Sequence, residues 1–181
     1  MSDLFDKVTS DQDIFKKILG KIPGFKGYIE RENRRASDKL LRGIVAERYE
    51  EQWNRISGLQ RDLISEGGLA YVDDMERAAI KIRQFIDRVK TATYGYAGLF
   101  DAVKVREDEL EKMYQFDLSL LDGAEEFRHA VDNVEASLGT DGLPASIRNM
   151  TSLAQNMVNL FNRRAEVIMQ GEDPTQTGQV Q

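Results

Sequence analysis

Apolar residues recur every seven positions through the middle of this chain. Met75, Ile82, Val89, Tyr96, Val103, Leu110, Asp117, Ala124, Val131 and Leu138 form one series. Phe85, Ala92, Leu99, Arg106, Met113, Leu120, Phe127 and Val134 follow three residues later. Steps of three and four put both series on one edge of an α-helix. A repeat held this long predicts packing against a partner helix along a coiled-coil seam. The phase survives Gly95 and Gly98, so the spacing predicts one helix from Leu69 to Leu138, kinked at Tyr94 to Gly98. At 1.5 Å per residue it would be about 105 Å long. A break into two helices is the alternative reading. Asp117 and Arg106 interrupt the apolar series. A polar group at such a position costs stability but fixes register. Arg42, Arg48 or Arg55 would meet Asp117 if their helix overlaps it.

Three further segments read as helix. In Leu4 to Ile22, Phe15, Ile18, Leu19 and Ile22 share a face, and Pro23-Gly24 ends the segment. From about Tyr28 to Ser65, a stripe runs through Leu41, Val45, Tyr49, Trp53, Ile56, Leu59 and Leu63. Glu66-Gly67-Gly68 supplies its stop. Beyond Gly142, Leu143, Ile147, Met150, Ala154, Met157, Phe161, Arg164 and Ile168 alternate steps of four and three. Asp141 is the expected N-cap of that helix, and Pro144 is tolerated in its first turn. Period-two runs of β-branched residues are scarce. The fold expected is all-α: an elongated antiparallel helical bundle or coiled coil with a long central helix and a short N-terminal amphipathic helix. The segment before Ser65 would pair with the first part of the long helix, the last segment with its second part. Residues 1–26 form the amphipathic segment, 27–170 the bundle domain, and 171–181 a disordered tail.

Composition narrows the function. A chain of 181 residues with 41% hydrophobic side chains suggests one folded domain, or one plus an appendage, rather than a disordered polymer. Cys is 0, which excludes a disulfide framework and thiolate chemistry. A net charge of −6 gives no reason to expect nucleic acid as a partner. The longest uncharged stretch, Asn149 to Asn162, is shorter than the roughly 18 apolar residues of a membrane span. The N-terminus lacks the basic and apolar regions of a signal peptide. The expected location is therefore cytoplasmic, including the inner face of a membrane.

Candidate chemistry is thin. Glu126 and His129 make one Glu-x-x-His half-motif of the kind that holds iron in helical bundles. With Phe127 and Ala124 on the seam, both would point away from it, and no second histidine exists. Phosphate-cradling glycine motifs are missing. No catalytic, cofactor or metal residue is assigned, and no cofactor is expected. Arg31, Arg35, Lys39 and Arg42 make a basic stripe interleaved with Glu30, Glu32 and Asp38, which reads as a solvated helix face. Asp101 to Glu135 holds 11 acidic and 4 basic residues, a surface that could dock the basic stripe of a neighbouring subunit. The last helix has an uncharged polar face, Asn149, Ser152, Asn156 and Asn159, and methionines at 150, 157 and 169; ordinary core packing is the expected reading, a protein contact the alternative.

The N-terminal helix carries the most functional weight. Residues 14 to 26 contain four lysines and no acid, although Asp3, Asp6, Asp11 and Asp13 just upstream weaken the electrostatic pull. Phe15, Lys16, Lys17, Ile18, Leu19, Lys21 and Ile22 could lie in an anionic membrane interface, apolar side sunk, or dock on a protein; the alternative is a short helix tucked onto the bundle. The function expected is a non-catalytic helical scaffold or adaptor. It would self-assemble as a homo-oligomer or bind a protein partner, with its N-terminal helix as a peripheral membrane anchor. A metal- or ligand-binding helical bundle is the alternative.

Overall fold

The computed structural model describes residues 13–27, 31–65, 67–92 and 107–170. Tyr96, Val103 and Arg106, the basic stripe's flanking Glu30, and the tail 171–181 lie outside the described residues. Helix α1 covers residues 13–21. Helix α2 is Arg31–Ser65, and a 3-10 turn, Leu69–Tyr71, leads into α3, Val72–Thr91. Helix α4 is Glu107–Ala136 and α5 is Leu143–Gln170. The chain is an all-α helical bundle, with no strand among the described residues.

Helices α2 to α5 close a ring in the order α2, α3, α5, α4, with α3 and α4 at opposite corners. Arg48 meets Glu125 and Arg55 meets Asp132, so α2 and α4 run parallel. Lys81 with Gln155 and Arg88 with Asn162 show the same for α3 and α5. The turns at 67–68 and 137–142 therefore share one end of the bundle. As expected, α2 pairs with the first part of the heptad repeat and α5 with the second.

The repeat itself is divided between two helices. Arg88 reaches Asn162, while Asp117 reaches Arg164, two residues further along α5. On one continuous helix, residues 88 and 117 would stand about 43 Å apart. The expectation of a single helix from Leu69 to Leu138 is therefore replaced by α3 and α4. Phase persists because both helices turn the same edge to one core; continuity of phase does not require continuity of helix. Met75, Ile82, Phe85 and Val89 of α3 are buried, as are Met113, Leu120, Phe127, Val131 and Val134 of α4, and Leu110 is half-buried. The described part of the seam closes within one chain.

Each corner of the ring gives an aromatic ring to the centre. Tyr49 of α2 packs edge-on to Phe85 of α3 at 4.6 Å and beside Phe127 of α4 at 5.6 Å. Phe85 in turn meets Phe161 of α5 at 6.0 Å. Rings at such spacings add attraction beyond the area they bury. Gly123 makes room for this centre, since a Cβ there would collide with the Met157 sulfur and come within 3.2 Å of the Tyr49 hydroxyl.

Two local expectations change. Gln52, not Trp53, continues the buried edge of α2, and Trp53 is half-buried under the Arg83 guanidinium at 5.3 Å. Steps of four residues drift round a helix, and the step of three from Tyr49 to Gln52 restores the edge. The N-cap position of α5 is Gly142, whose carbonyl accepts from Ser146, while Asp141 stays outside. The stop of α2 is as expected. Gly67 has φ +81°, Gly68 N–H donates to Leu63 O at 2.7 Å, and Gly67 N–H to Ile64 O, so glycine's left-handed conformation satisfies the last carbonyls.

The packing sets a contrast along α3. Phe85→Ala should lower unfolding free energy by about 3–5 kcal/mol. Ile80→Ala, at an exposed position of the same helix, should stay within about 0.5 kcal/mol of the parent. Urea denaturation of both variants measures this, and equal losses would mean that α3 faces the core differently.

Candidate functional site

The densest chemistry in the described residues is a charge network inside the bundle. Arg164 of α5 donates through Nε to Asp117 Oδ1 of α4 at 2.7 Å. Its Nη2 donates across the ring to Asp38 Oδ1 of α2 at 2.9 Å. The other oxygen of Asp38 accepts from Arg42 Nε at 2.7 Å. Arg42 Nη1 donates to Val89 O of α3 at 3.1 Å. Asp38, Arg42, Asp117 and Arg164 are all buried, the last two completely. Two carboxylates and two guanidiniums balance. Removing charges from water is costly, and only close pairing with further hydrogen bonds offsets it. The arrangement sets each buried charge against an opposite one and ties all four ring helices together.

The Val89 carbonyl is one of the last four of α3, which have no partner within the helix. Arg42 supplies that partner and places positive charge at the negative end of the helix dipole. Arg48, six residues further on α2, does the same for α1: its Nη2 donates to Lys21 O at 3.0 Å. One helix thus caps the C-termini of two others.

Helix α1 lies outside the ring, over α2 and α4. Ile18, Ile22 and Phe25 are buried, and Phe15, Phe25 and Tyr114 of α4 form a triangle of rings 5.8 to 6.4 Å apart. Lys21 pairs with Asp122 of α4 at 2.9 Å, with both side chains partly in water. Gly27 closes the segment at φ +82°, where a Cβ would fall 2.7 Å from both the Phe15 ring and the Tyr114 hydroxyl. Three buried apolar side chains hold this 13–27 segment, whereas α3 sinks seven over 20 residues. Segments with few buried contacts open at lower free energy than the core. Seen from outside, docked α1 shows Lys16, Lys17, Lys26 and the exposed Leu19.

The residues singled out from the sequence therefore separate. Of the docking set, Ile18 and Ile22 are fully buried, Phe15 and Lys21 half-buried, and Lys16, Lys17 and Leu19 exposed. The basic stripe also divides. Arg35 and Lys39 are exposed, but Arg42 is buried with Asp38, so this part of α2 is not a solvated face. The side chain of Arg31 lies outside the described set. Asp117 pairs with Arg164 of α5. Much of the acidic face of α4 is met inside the chain, where Arg48 approaches Glu125 and Arg55 binds Asp132 and Glu135. Glu126 and His129 face outward, and His129 stands beside Arg128 and Asp132. Among the described residues, no three His, Cys, Asp or Glu side chains group as metal ligands. No described helix is long and apolar enough to cross a membrane.

Asp38 and Arg164 as partners were missed in the sequence. A signal was present: Asp38 and Arg42 extend the edge formed by Val45, Tyr49, Gln52 and Ile56 backwards in steps of three and four. Burial pushes the Tyr49 phenol far above its usual range, and the charge of Glu126 adds to this, so it stays neutral. Comparison with known protein families, curated proteins and solved structures finds no match to this chain.

Two measurements follow from these charges. Arg164→Met should cost about 3–5 kcal/mol, because it takes a buried counter-charge away from Asp117 and from one side of Asp38. Arg163→Met, one residue earlier and exposed, should cost nearly nothing. Equal costs in thermal unfolding would remove the network from its central place. The second concerns pH. The hydrogen bond from Arg55 holds Asp132 below its ordinary value of 3.8, and the hydrogen bond from Lys90 holds Glu50 below 4.5. Each folded-state value lies below the unfolded one, so their stabilisation is complete above those ordinary values. It is lost as pH falls through the lowered ones. Asp132→Asn with Glu50→Gln should lower stability modestly at neutral pH and flatten its fall below about pH 4.5, so that variant and parent converge in acid. An acid limb identical to the parent's would contradict this.

Proposed function

We propose that this chain is a non-catalytic helical scaffold that docks onto a larger assembly, with α1 as the docking element. The observation that carries this reading is that α1 is a fifth helix laid over α2 and α4 of a ring of four, with its apolar side inward and Lys16, Lys17 and Leu19 outward. The buried charges support the same reading. Among the described residues they bond to one another and to a carbonyl, an arrangement suited to holding helices in place. The seam is filled from within, so contact with a partner falls to the outer surface. There, α1 offers lysines and a leucine. A protein partner, a further copy of the chain or a membrane surface would each give a scaffold something to hold.

The test is the size at which the chain migrates in gently lysed cells at moderate salt. The full chain is expected in a high-mass fraction. A variant with Lys16→Glu, Lys17→Glu and Leu19→Glu changes only exposed positions of α1 and is expected at monomer mass. A parent chain that runs as a monomer throughout would sink the proposal.

A further inference from the structure

We infer that α1 is a strap with two seats: the α2/α4 groove, and the surface of an anionic lipid bilayer that it reaches by leaving the groove. This rests on the docking role proposed for α1 and names its partner and its gate. In the docked state Lys16, Lys17 and Lys26 are exposed and make no ion pair with any described residue. Leu19, 38% exposed, stands between the first two and the last. No acid interrupts residues 14 to 26. An uninterrupted run of lysines is drawn to anionic headgroups, and interleaved acids would cancel that attraction. The outward face therefore brings the helix to the bilayer while its apolar face is still turned inward.

The apolar face makes the two seats exclusive. Ile18, Ile22 and Phe25 are covered by α2 and α4 when α1 is docked, and the same side chains would be covered by acyl chains when it lies in the interface. They cannot be covered by both. Lys21 is shared in the same way, since its ammonium now pairs with Asp122 and would snorkel to a headgroup once released. That bridge is partly in water, so lipid phosphates can compete for it. The return is short: Gly24 and Gly27, at φ +85° and +82°, turn the chain on either side of Phe25. Release thus needs the apolar side chains to leave the groove and the Lys21–Asp122 bridge to part, with the ring of four helices unchanged.

The sequence has no cysteine, so Lys21→Cys with Asp122→Cys gives two unique thiols at partly exposed sites already in contact. Joining them with a bismaleimide that contains an internal disulfide locks the strap, and reductant frees it. Flotation is measured with vesicles of phosphatidylcholine plus phosphatidylglycerol and with phosphatidylcholine alone. The freed protein should float with the anionic vesicles only, and the locked protein with neither. Asp122→Ser in the parent chain should float at about two- to fivefold less lipid, the factor an exposed ion pair is worth. If the locked protein floats as well as the freed one, the docked face binds lipid without release and the strap is overturned, while the docking role of α1 stands. If neither form floats although the parent still migrates at high mass in cells, the bilayer is the wrong partner and a protein takes its place.

Discussion

A charge inside a protein must find its opposite at hydrogen-bond distance, and this requirement fixes the relative placement of the helices here. Apolar edges alone leave freedom. A helix with a seven-residue repeat can slide by one repeat along its neighbour and still cover leucines with leucines. Arg164 removes that freedom, because a slide of α5 would carry its guanidinium about 10 Å away from Asp117. It would also lose Asp38, on the helix at the opposite corner. The network is therefore better understood as a choice among packings than as a gain in stability. A well-packed apolar layer can match such a network in energy, but it cannot discriminate register in this way.

What was legible in the sequence follows from what periodicity can encode. The buried edges of α3 and α4 could be read residue by residue, because burial and a 3.6-residue turn together impose the spacing. Asp117 stood out as a polar residue on that edge, and Arg164 sat in the stripe of α5. Their pairing was not legible, since it depends on which helices become neighbours. Asp38 and Arg42 were misjudged for another reason. Opposite charges four apart stabilise an exposed helix, and the same pattern neutralises a buried one, so alternation of sign does not tell inside from outside. The single long helix was an overreading of phase: two helices facing one core share a phase whenever their edges are matched to it.

The amphipathic character of α1 was equally plain and equally silent about its cover. An apolar face gains from leaving water whether a groove or a lipid layer receives it, and the hydrophobic effect has no direction. Geometry separates the possibilities better than hydropathy. The Phe15, Phe25 and Tyr114 triangle and the Arg48 cap are fitted to the bundle, whereas the lysines on the outer side are fitted to nothing in it.

The distribution of the four buried charges also bears on how the chain assembles. Asp38 and Arg42 belong to the α2–α3 hairpin, Asp117 and Arg164 to the α4–α5 hairpin, so each half carries a neutral pair of its own. Desolvation can then proceed in stages, each hairpin collapsing around its own ion pair. The Arg164–Asp38 bond can form only once the halves meet. No ion has to enter the interior alone at any point along that route.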